Sequence, residues 1–177
     1  MKYLVFSDIH GSMYYFNFAK EIIDRENPDK IILLGDLYYH GPRNPLPKDY
    51  APKTVCELLN TYSDKIIAIK GNCDAEVDEM ISEFQFNESV YLDISGKKVM
   101  CTHGHKYNKD NIPSGVDIII YGHYHTGFIN RDKVLAINSG SISLPKENTA
   151  HSYLQIEDNV IYLKDLIDGR VIDSVEI

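Results

Sequence analysis

Positive charge is scarce in this sequence. Its 177 residues include 18 Lys and Arg against 26 Asp and Glu, which gives a formal net charge of −8. A protein that grips a long nucleic acid needs a basic surface to neutralise the phosphates, so this composition argues against that class of partner. Small phosphate esters remain compatible with it, because bound cations can reverse the sign of the charge locally.

Long hydrophobic runs are also absent. No run approaches the ~18 apolar residues of a membrane span, and the run at Tyr3–Phe6 is shorter than the ~7–15 residues of a secretory signal. The three cysteines, Cys56, Cys73 and Cys101, are odd in number and show no paired spacing, as expected of reduced thiols. We therefore expect a cytoplasmic protein with no leader and no membrane contact.

The rest of the composition is that of an ordinary globular protein. Apolar residues make up 44% of the chain and charged residues 25%. No internal repeat or low-complexity stretch is visible, and the length suits one well-buried core. We therefore predict a single domain over residues 1–177.

The hydrophobic pattern predicts strands and helices that alternate in the first half of the chain and mainly strands in the second. The predicted helices are Met13–Glu26, capped by Ser12, then Thr54–Tyr62 and Asp74–Phe84. The predicted strands are Tyr3–Phe6, Ile31–Leu34, Ile66–Ile69, Val90–Ile94, Val99–Thr102, Asp117–Tyr121, Val134–Asn138, Tyr153–Ile156, Val160–Leu163 and Val171–Val175. This order predicts an α/β fold with two packed sheets and helices outside them.

One segment, Leu37–Pro52, interrupts this pattern. It holds four of the seven prolines, a density that no helix or central strand tolerates. A loop of this length in a compact domain is usually functional, so we expect it to border the site.

Five short blocks rich in Asp, His and Asn occur along the chain, most of them where an apolar run ends. They are Asp8-Ile9-His10, Gly35-Asp36, Gly71-Asn72-Cys73-Asp74, His103-Gly104-His105 and Gly122-His123-Tyr124-His125. The carboxyl ends of strands in an α/β sheet deliver functional groups to a common rim, so the blocks predict one site. The candidate metal ligands are Asp8, His10, Asp36, Asn72, His103, His123 and His125. Seven ligands of these types suit two divalent cations that share a carboxylate, which points to phosphate-ester hydrolysis.

Two blocks contain candidate ligands at positions i and i+2. These are Asp8 with His10 and His123 with His125. If the chain is extended there, both side chains point to one side and lie about 6.6 Å apart along the strand. That span suits one cation, or one ligand to each of two.

The order of the blocks resembles that of the calcineurin-like metallophosphoesterases over nearly the whole chain. The resemblance is closest to small bacterial phosphodiesterases of the YfcE type, through Gly35–Asn44, Gly71–Asp74 and Ser139–Lys146. It implies an α/β fold, a four-layer α/β/β/α sandwich of two mixed sheets flanked by helices. It also implies two divalent metal ions, Mn first, with Fe, Zn, Co or Ni as alternatives.

The resemblance further implies a division of the ligands between two ions. Asp8, His10, Asp36 and His125 would hold one, and Asp36, Asn72, His103 and His123 the other, with Asp36 bridging. A hydroxide activated by both ions would then hydrolyse a small phosphodiester.

The third block departs from many relatives at Cys73, where they carry a histidine that can protonate the leaving alkoxide. A thiol with a pKa of ~8.5 matches this task near pH 7 less well than an imidazole at ~6.5. The change predicts a preference for diesters with good leaving groups, although Cys73 is equally well read as filler beside the metals. Asp74 is the other candidate in the catalytic group, and we expect it to cap the following helix and orient Asn72.

Two further side chains are candidates for substrate binding. Arg43 lies on the proline-rich loop and could contact a phosphate, although a loop arginine is as often only solvated. His105 follows a predicted ligand by two residues and is expected to face the substrate or support the ligands. His40 is expected to be structural, and His151 to have no role.

Two other functions remain open at this stage. A phosphomonoesterase is disfavoured by Cys73 and by Tyr39-His40-Gly41, where the Ser/Thr phosphatases of the same superfamily carry Asp-Arg-Gly. A non-catalytic protein-binding scaffold, such as the retromer subunit with this fold, is disfavoured by the complete ligand set. The sequence leaves open whether the chain forms a homo-oligomer.

Overall fold

Two mixed β-sheets pack face to face in the computed structural model, which describes all 177 residues. The helices are α1 Met13–Glu26, α2 Pro52–Asn60 and α3 Glu76–Ile81. The strands are β1 Tyr3–Phe6, β2 Lys30–Leu33, β3 Ile66–Ile69, β4 Phe86–Asn87, β5 Ser89–Ile94, β6 Lys97–Thr102, β7 Ile118–Tyr121, β8 Gly127–Arg131, β9 Leu135–Ser139, β10 Ser152–Glu157, β11 Val160–Asp165 and β12 Val171–Glu176.

Each sheet has a parallel centre and at least one antiparallel flank. The seven-stranded sheet has the order β12-β11-β10-β1-β2-β3-β4, and the five-stranded sheet has the order β5-β6-β7-β9-β8. Strands β1, β2 and β3 run parallel, as do β6, β7 and β9. The carboxyl ends of the parallel strands within each sheet therefore lie at one edge, as the strand-end placement of the blocks predicted.

Helices α1 and α2 cover the outer face of the seven-stranded sheet. Phe16 of α1 and Leu59 of α2 are buried against Phe6 of β1 in one apolar cluster. Helix α1 begins as predicted at Ser12, whose hydroxyl accepts a hydrogen bond from the amide of Tyr15 at 3.4 Å.

The two sheets bury a second apolar layer between them. Val5 and Ile32 from the first sheet pack in one cluster with Cys101, Ile120 and Ile137 from the second. This layer joins the two sheets, so the ends of β1, β2, β6 and β7 are held in one rigid frame. The predicted α/β architecture of two mixed sheets flanked by helices is confirmed.

The outer face of the five-stranded sheet has a different cover. Met100, Ile119 and Tyr121 point outward there, and Ile112 and Val116 pack against them. Those two residues belong to the segment between β6 and β7, which contains no helix. A loop thus takes the place of the outermost helical layer on this side.

Other differences from the sequence prediction are local. The proline-rich segment has no helix or strand before Pro52, which begins α2, because proline at the first helical turn removes no intrahelical hydrogen bond. Helix α3 is only six residues long. Strands β4 and β8 were not predicted, since neither contains an apolar run. None of the three helices is long and apolar enough to span a membrane.

Candidate metal centre

All seven predicted ligands converge at one place, in loops that follow five strands. Asp8 and His10 follow β1, Asp36 follows β2, Asn72 follows β3, His103 follows β6, and His123 and His125 follow β7. Because β1 to β3 belong to one sheet and β6 and β7 to the other, the site lies where the two sheets meet.

Four of these side chains form a buried cluster, defined as Asp8, His10, Asp36 and His125. His10 Nε2 lies 3.2 Å from His125 Nε2, 3.6 Å from Asp8 Oδ1 and 3.7 Å from Asp36 Oδ2. His125 Nε2 is 3.2 Å from the same oxygen of Asp8. None of the four residues is more than 3% exposed, so water has little access.

Four side chains form a second group, the open cluster, defined as Asp36, Asn72, His103 and His123. His103 Nε2 lies 3.4 Å from Asp36 Oδ1, 3.0 Å from Asn72 Oδ1 and 3.2 Å from His123 Nδ1. Asn72 is exposed and His123 is half-buried, so this cluster faces solvent. Asp36 belongs to both groups, with one carboxylate oxygen turned toward each.

Backbone carbonyl groups fix the tautomers of three histidines. In each, Nδ1 lies 2.7 Å from a carbonyl oxygen: His10 with Tyr39, His103 with Leu34 and His125 with Leu144. A carbonyl oxygen only accepts, so Nδ1 of each ring carries a proton and Nε2 is the atom turned toward the cluster. His123 presents Nδ1 instead, and burial, followed by the neighbouring His103, lowers its pKa to about 4.

The donor atoms are arranged for binding divalent cations rather than for hydrogen bonding with one another. In the buried cluster the Nε2 atoms of His10 and His125 lie 3.2 Å apart, and both are within 3.6 Å of Asp8 Oδ1. The Oδ1 atom of Asp8 is buried and has no hydrogen-bond partner. Cations between these atoms would satisfy both, and oxygen and imidazole donors suit Mn, Fe, Zn, Co and Ni.

The backbone at the site is left-handed at most of the candidate ligands. Positive φ values between 48° and 65° occur at Asp8, His10, Asp36, His123 and His125. The expectation of extended i, i+2 pairs is therefore wrong, because neither pair has an extended backbone. The left-handed turns instead fold each block tightly enough for both of its side chains to reach the centre.

A hydrogen-bond network holds Asp8 in this unusual conformation. Its carbonyl oxygen accepts from Ser141 Oγ at 2.8 Å and Ser143 Oγ at 2.9 Å. Its Oδ2 accepts from Ser7 Oγ at 2.6 Å and from the amide of His123 at 2.9 Å. The serines of the Ser139–Lys146 block thus act on the site by positioning Asp8.

Asp74 ties the loops after β2 and β3 together. Its carboxylate accepts from the backbone amides of Asp36 and Leu37, both at 2.8 Å, and of Gly71 at 2.7 Å. Burial raises its pKa to about 6, against the opposing effect of these amides. Both oxygens are occupied, so the carboxylate sets the distance between Asp36 and the Asn72 turn.

The predicted capping role of Asp74 is wrong. Ala75 occupies the N-cap position of α3, and Asp78 Oδ2 accepts a hydrogen bond from the Ala75 amide at 2.8 Å. The carboxylate of Asp74 is turned inward, where three buried amides need an acceptor.

Cys73 lies at the edge of both clusters. Its amide donates to Asp36 Oδ1 at 2.8 Å, and its Sγ is 3.3 Å from Asn72 Nδ2. Burial, followed by the nearby Asp36 carboxylate, raises the pKa of the thiol to about 12. In this environment the side chain is a neutral thiol at pH 7.

A cavity of about 970 Å³ opens over the two clusters. Asp36, Asn72, His123 and His125 lie on its lining, together with Cys73. Its volume is near the upper end of the ~300–1,000 Å³ range of small-molecule sites, so a substrate can reach the metal ligands from here.

The walls of this cavity include Arg43, whose substrate-binding role stays a prediction. They also include side chains that were not chosen as site residues from the sequence, among them Tyr39, Tyr124, Lys146 and Glu147. Each adjoins a residue or block that had been singled out, so proximity to a ligand block was the available signal.

His105 has a less direct position. Its exposed ring lies 5.4 Å from the ring of His103 and 6.2 Å from that of His123, but it does not line the cavity. A substrate-binding role for His105 stays a prediction.

Comparison with known proteins gives a consistent family assignment. The family model of the calcineurin-like phosphoesterase superfamily domain matches residues 1–159. Phosphodiesterase YfcE of Escherichia coli K12 is 36% identical over an alignment that covers 100% of this chain and 98% of that protein. A probable metallophosphoesterase of Methanocaldococcus jannaschii is 30% identical over 80% of this chain and 68% of that protein.

Solved structures show the same relationship. The structure of the phosphoesterase YfcE from E. coli superposes with a TM-score of 0.96 at 35% identity, and each chain is covered to 100%. Vps29 of Entamoeba histolytica, solved with Zn²⁺, has a TM-score of 0.64 at 23% identity, with 99% of each chain covered. The second likeness shows a shared fold.

Proposed function

Because the chain belongs to the calcineurin-like phosphoesterase superfamily and is a phosphoric diester hydrolase, we propose that it cleaves small phosphodiesters with two divalent cations. The observation that carries this proposal is the pair of clusters joined by Asp36, whose two carboxylate oxygens lie 3.7 Å from His10 Nε2 and 3.4 Å from His103 Nε2. One carboxylate between two sets of nitrogen donors is the arrangement expected of a two-metal site.

The buried cluster would hold one cation and the open cluster the other. Bound cations supply Lewis acidity and lower the pKa of water enough to make a nucleophile at neutral pH. Mn is the proposed metal because of the resemblance to YfcE-type phosphodiesterases, and the oxygen and nitrogen donors suit Fe, Zn, Co and Ni as alternatives.

The protein contributes fixed positions and charge. Asp74 holds Asp36 relative to the Asn72 turn, so we assign it a positioning role. Arg43 lies on the cavity wall, where its guanidinium can pair with a phosphate oxygen of the incoming diester. The left-handed backbone at Asp8, held by its serines, orients the donor atoms before a substrate arrives.

Cys73 limits which leaving groups depart. A thiol with a pKa of about 12 transfers a proton to an alkoxide less readily than an imidazole does. We therefore propose a preference for diesters with good leaving groups and weak activity on monoesters. All three cysteines are free, which is consistent with the cytoplasmic location that we propose.

The test is hydrolysis of an aryl phosphodiester by the purified protein with added Mn²⁺, compared with the same protein in EDTA. We expect hydrolysis that depends on the metal, together with two bound ions per chain by elemental analysis. A chain that binds no metal and hydrolyses neither diesters nor monoesters would instead be a protein-binding scaffold. Faster hydrolysis of monoesters than of diesters would favour the phosphomonoesterase.

A further inference from the structure

Two tyrosine rings are left half-exposed inside the cavity. Tyr39 is 43% exposed and Tyr124 is 44% exposed, and both line the cavity over the metal centre. An aromatic side chain carries a large apolar surface, and in a concave site two such surfaces are available to the same ligand.

Each sheet supplies one of these rings, and each is tied to a metal-ligand position. Tyr39 follows β2, and its carbonyl oxygen lies 2.7 Å from Nδ1 of His10. Tyr124 follows β7, lies between His123 and His125, and contacts the His123 ring edge to face at 5.4 Å between centroids. The backbone of Tyr39 and the ring of Tyr124 are therefore held beside metal-ligand residues, next to the place where a phosphate would bind.

The proline-rich loop adds apolar surface and one cation to the lining. Pro42 and Pro45 of this loop line the cavity, close to Arg43. Lys146 lies on the lining as well, and neither of these two cations forms an ion pair with a carboxylate of the protein. The same lining holds the carboxylates of Asp36, Asp74 and Glu147, so Arg43 and Lys146 are the positive groups that the protein itself offers an anionic ligand here.

We propose that Tyr39 and Tyr124 make this site selective for phosphodiesters whose retained substituent, the one that stays on the phosphate after cleavage, carries an aromatic ring such as a nucleobase or an aryl group. The inference rests on the proposed function, since it needs the phosphate to bind over the two clusters. With the phosphate there, the substituents occupy the walls, and an aromatic substituent can stack on a phenol ring or lie edge to face with it. The cavity of about 970 Å³ has room for a substituent as large as a nucleoside.

The experiment uses four diesters that all release p-nitrophenolate and differ only in the second substituent: methyl, cyclohexylmethyl, benzyl or 5′-adenosyl. Benzyl and cyclohexylmethyl have similar sizes, so their ratio of kcat/KM isolates aromaticity from bulk. We expect benzyl to exceed cyclohexylmethyl by about 3- to 10-fold, the range for one aromatic contact. We expect adenosyl to exceed methyl by at least as much.

The variants assign the effect to the two rings. Tyr124→Leu and Tyr39→Leu should each bring the benzyl to cyclohexylmethyl ratio toward one, whereas Tyr124→Phe and Tyr39→Phe should keep it. Tyr91→Leu is the matched control, because Tyr91 is 49% exposed on β5 and does not line the cavity. Calorimetry with the benzyl and cyclohexylmethyl monoesters of methylphosphonic acid measures two dissociation constants. Their ratio tests the same preference in binding alone, without hydrolysis.

The outcomes separate this inference from the proposed function. If the methyl ester is hydrolysed with Mn²⁺ but benzyl and cyclohexylmethyl are cleaved and bound equally, aromatic selection is overturned and the phosphodiesterase stands. If the ratio is high but unchanged in both Leu variants, the two rings are not its source. If even the methyl ester is untouched while two metals are bound, the proposed function itself fails.

Discussion

The buried cluster and the open cluster share Asp36 but are built differently. All four residues of the buried cluster have positive φ, and none is more than 3% exposed. In the open cluster only Asp36 and His123 have positive φ, and Asn72 is exposed. Folding alone therefore completes the first cluster, whereas the second is left accessible to solvent and substrate. We infer that a cation in the buried cluster stays bound throughout. The cation in the open cluster is the one that the substrate reaches.

The largest effect should come from the residue that the two clusters share. We expect Asp36→Ala to lose both bound cations and to lower kcat/KM for an aryl phosphodiester by more than about 100-fold, since the loss of a mere supporting contact costs about 10- to 100-fold. Elemental analysis and hydrolysis with Mn²⁺ measure the two losses. Asp64→Ala, an exposed aspartate after α2, is the control and should keep both. Retention of two cations by Asp36→Ala would show that the clusters do not depend on a shared carboxylate.

Substitutions in one cluster at a time should separate the two. In Asn72→Ala, water can replace the exposed amide oxygen, so we expect excess Mn²⁺ to restore much of the activity, at a half-saturating concentration raised about 10- to 100-fold. His10 is fully buried and does not line the cavity, so water replaces its nitrogen less easily in His10→Ala and we expect little recovery. The measurement is activity against Mn²⁺ concentration, and equal recovery of both variants would remove the distinction between the clusters.

A substitution at Cys73, which lies beside the open cluster, tests whether this residue protonates the leaving group. We expect Cys73→His to raise the ratio of monoester to diester hydrolysis by about 10-fold or more, because an imidazole can protonate an alkoxide. Cys73→Ser has the size of the native residue and no better acid, so its ratio should stay near the native one. If the histidine variant leaves the ratio unchanged, leaving-group protonation does not decide the substrate class.

The smallest of these effects should come from the contact that sets the spacing of the clusters. Asp74→Asn keeps an acceptor but places an NH₂ group against buried amide donors, so we expect a lower melting temperature and a half-saturating Mn²⁺ concentration raised about 10-fold. Asp78→Ala removes a helix cap, worth about 1 kcal/mol, and should lower the melting temperature alone. Equal metal dependence in both variants would contradict a positioning role for Asp74.

Most of the fold followed from the sequence because its signals are local. Buried strands such as β1 and β3 are apolar runs bounded by polar residues, and α1 carries its own cap and apolar face. Strand β8 was missed because its sequence, Gly127–Arg131, has no such run and pairs only with β9. The loop that covers the face beside Tyr121 could not be predicted, because a loop and a helix can cover the same apolar face.

The site was predictable in membership but not in conformation. The seven side chains were found because each block lies at a strand end, and parallel strands bring such ends together. The left-handed backbone at Asp8 depends on Ser141 and Ser143, which lie more than a hundred residues away in the chain. The carboxylate of Asp74 points inward because it accepts hydrogen bonds from the amides of another loop, at Asp36 and Leu37. No local sequence pattern predicts these contacts or those of the serines with Asp8.

The left-handed turns also explain which donor types can occupy this centre. Asn, Asp and His adopt positive φ several-fold more often than most residues with a Cβ, whereas Glu and Cys do not share this preference. Glutamate and thiolate are good metal ligands, yet at the five positions from Asp8 to His125 with positive φ they would add backbone strain to any gain in coordination. The backbone thus narrows the set of workable donors before any cation binds. Attempts to convert this centre to a thiolate-rich site should begin at Asn72 or His103, where φ is ordinary.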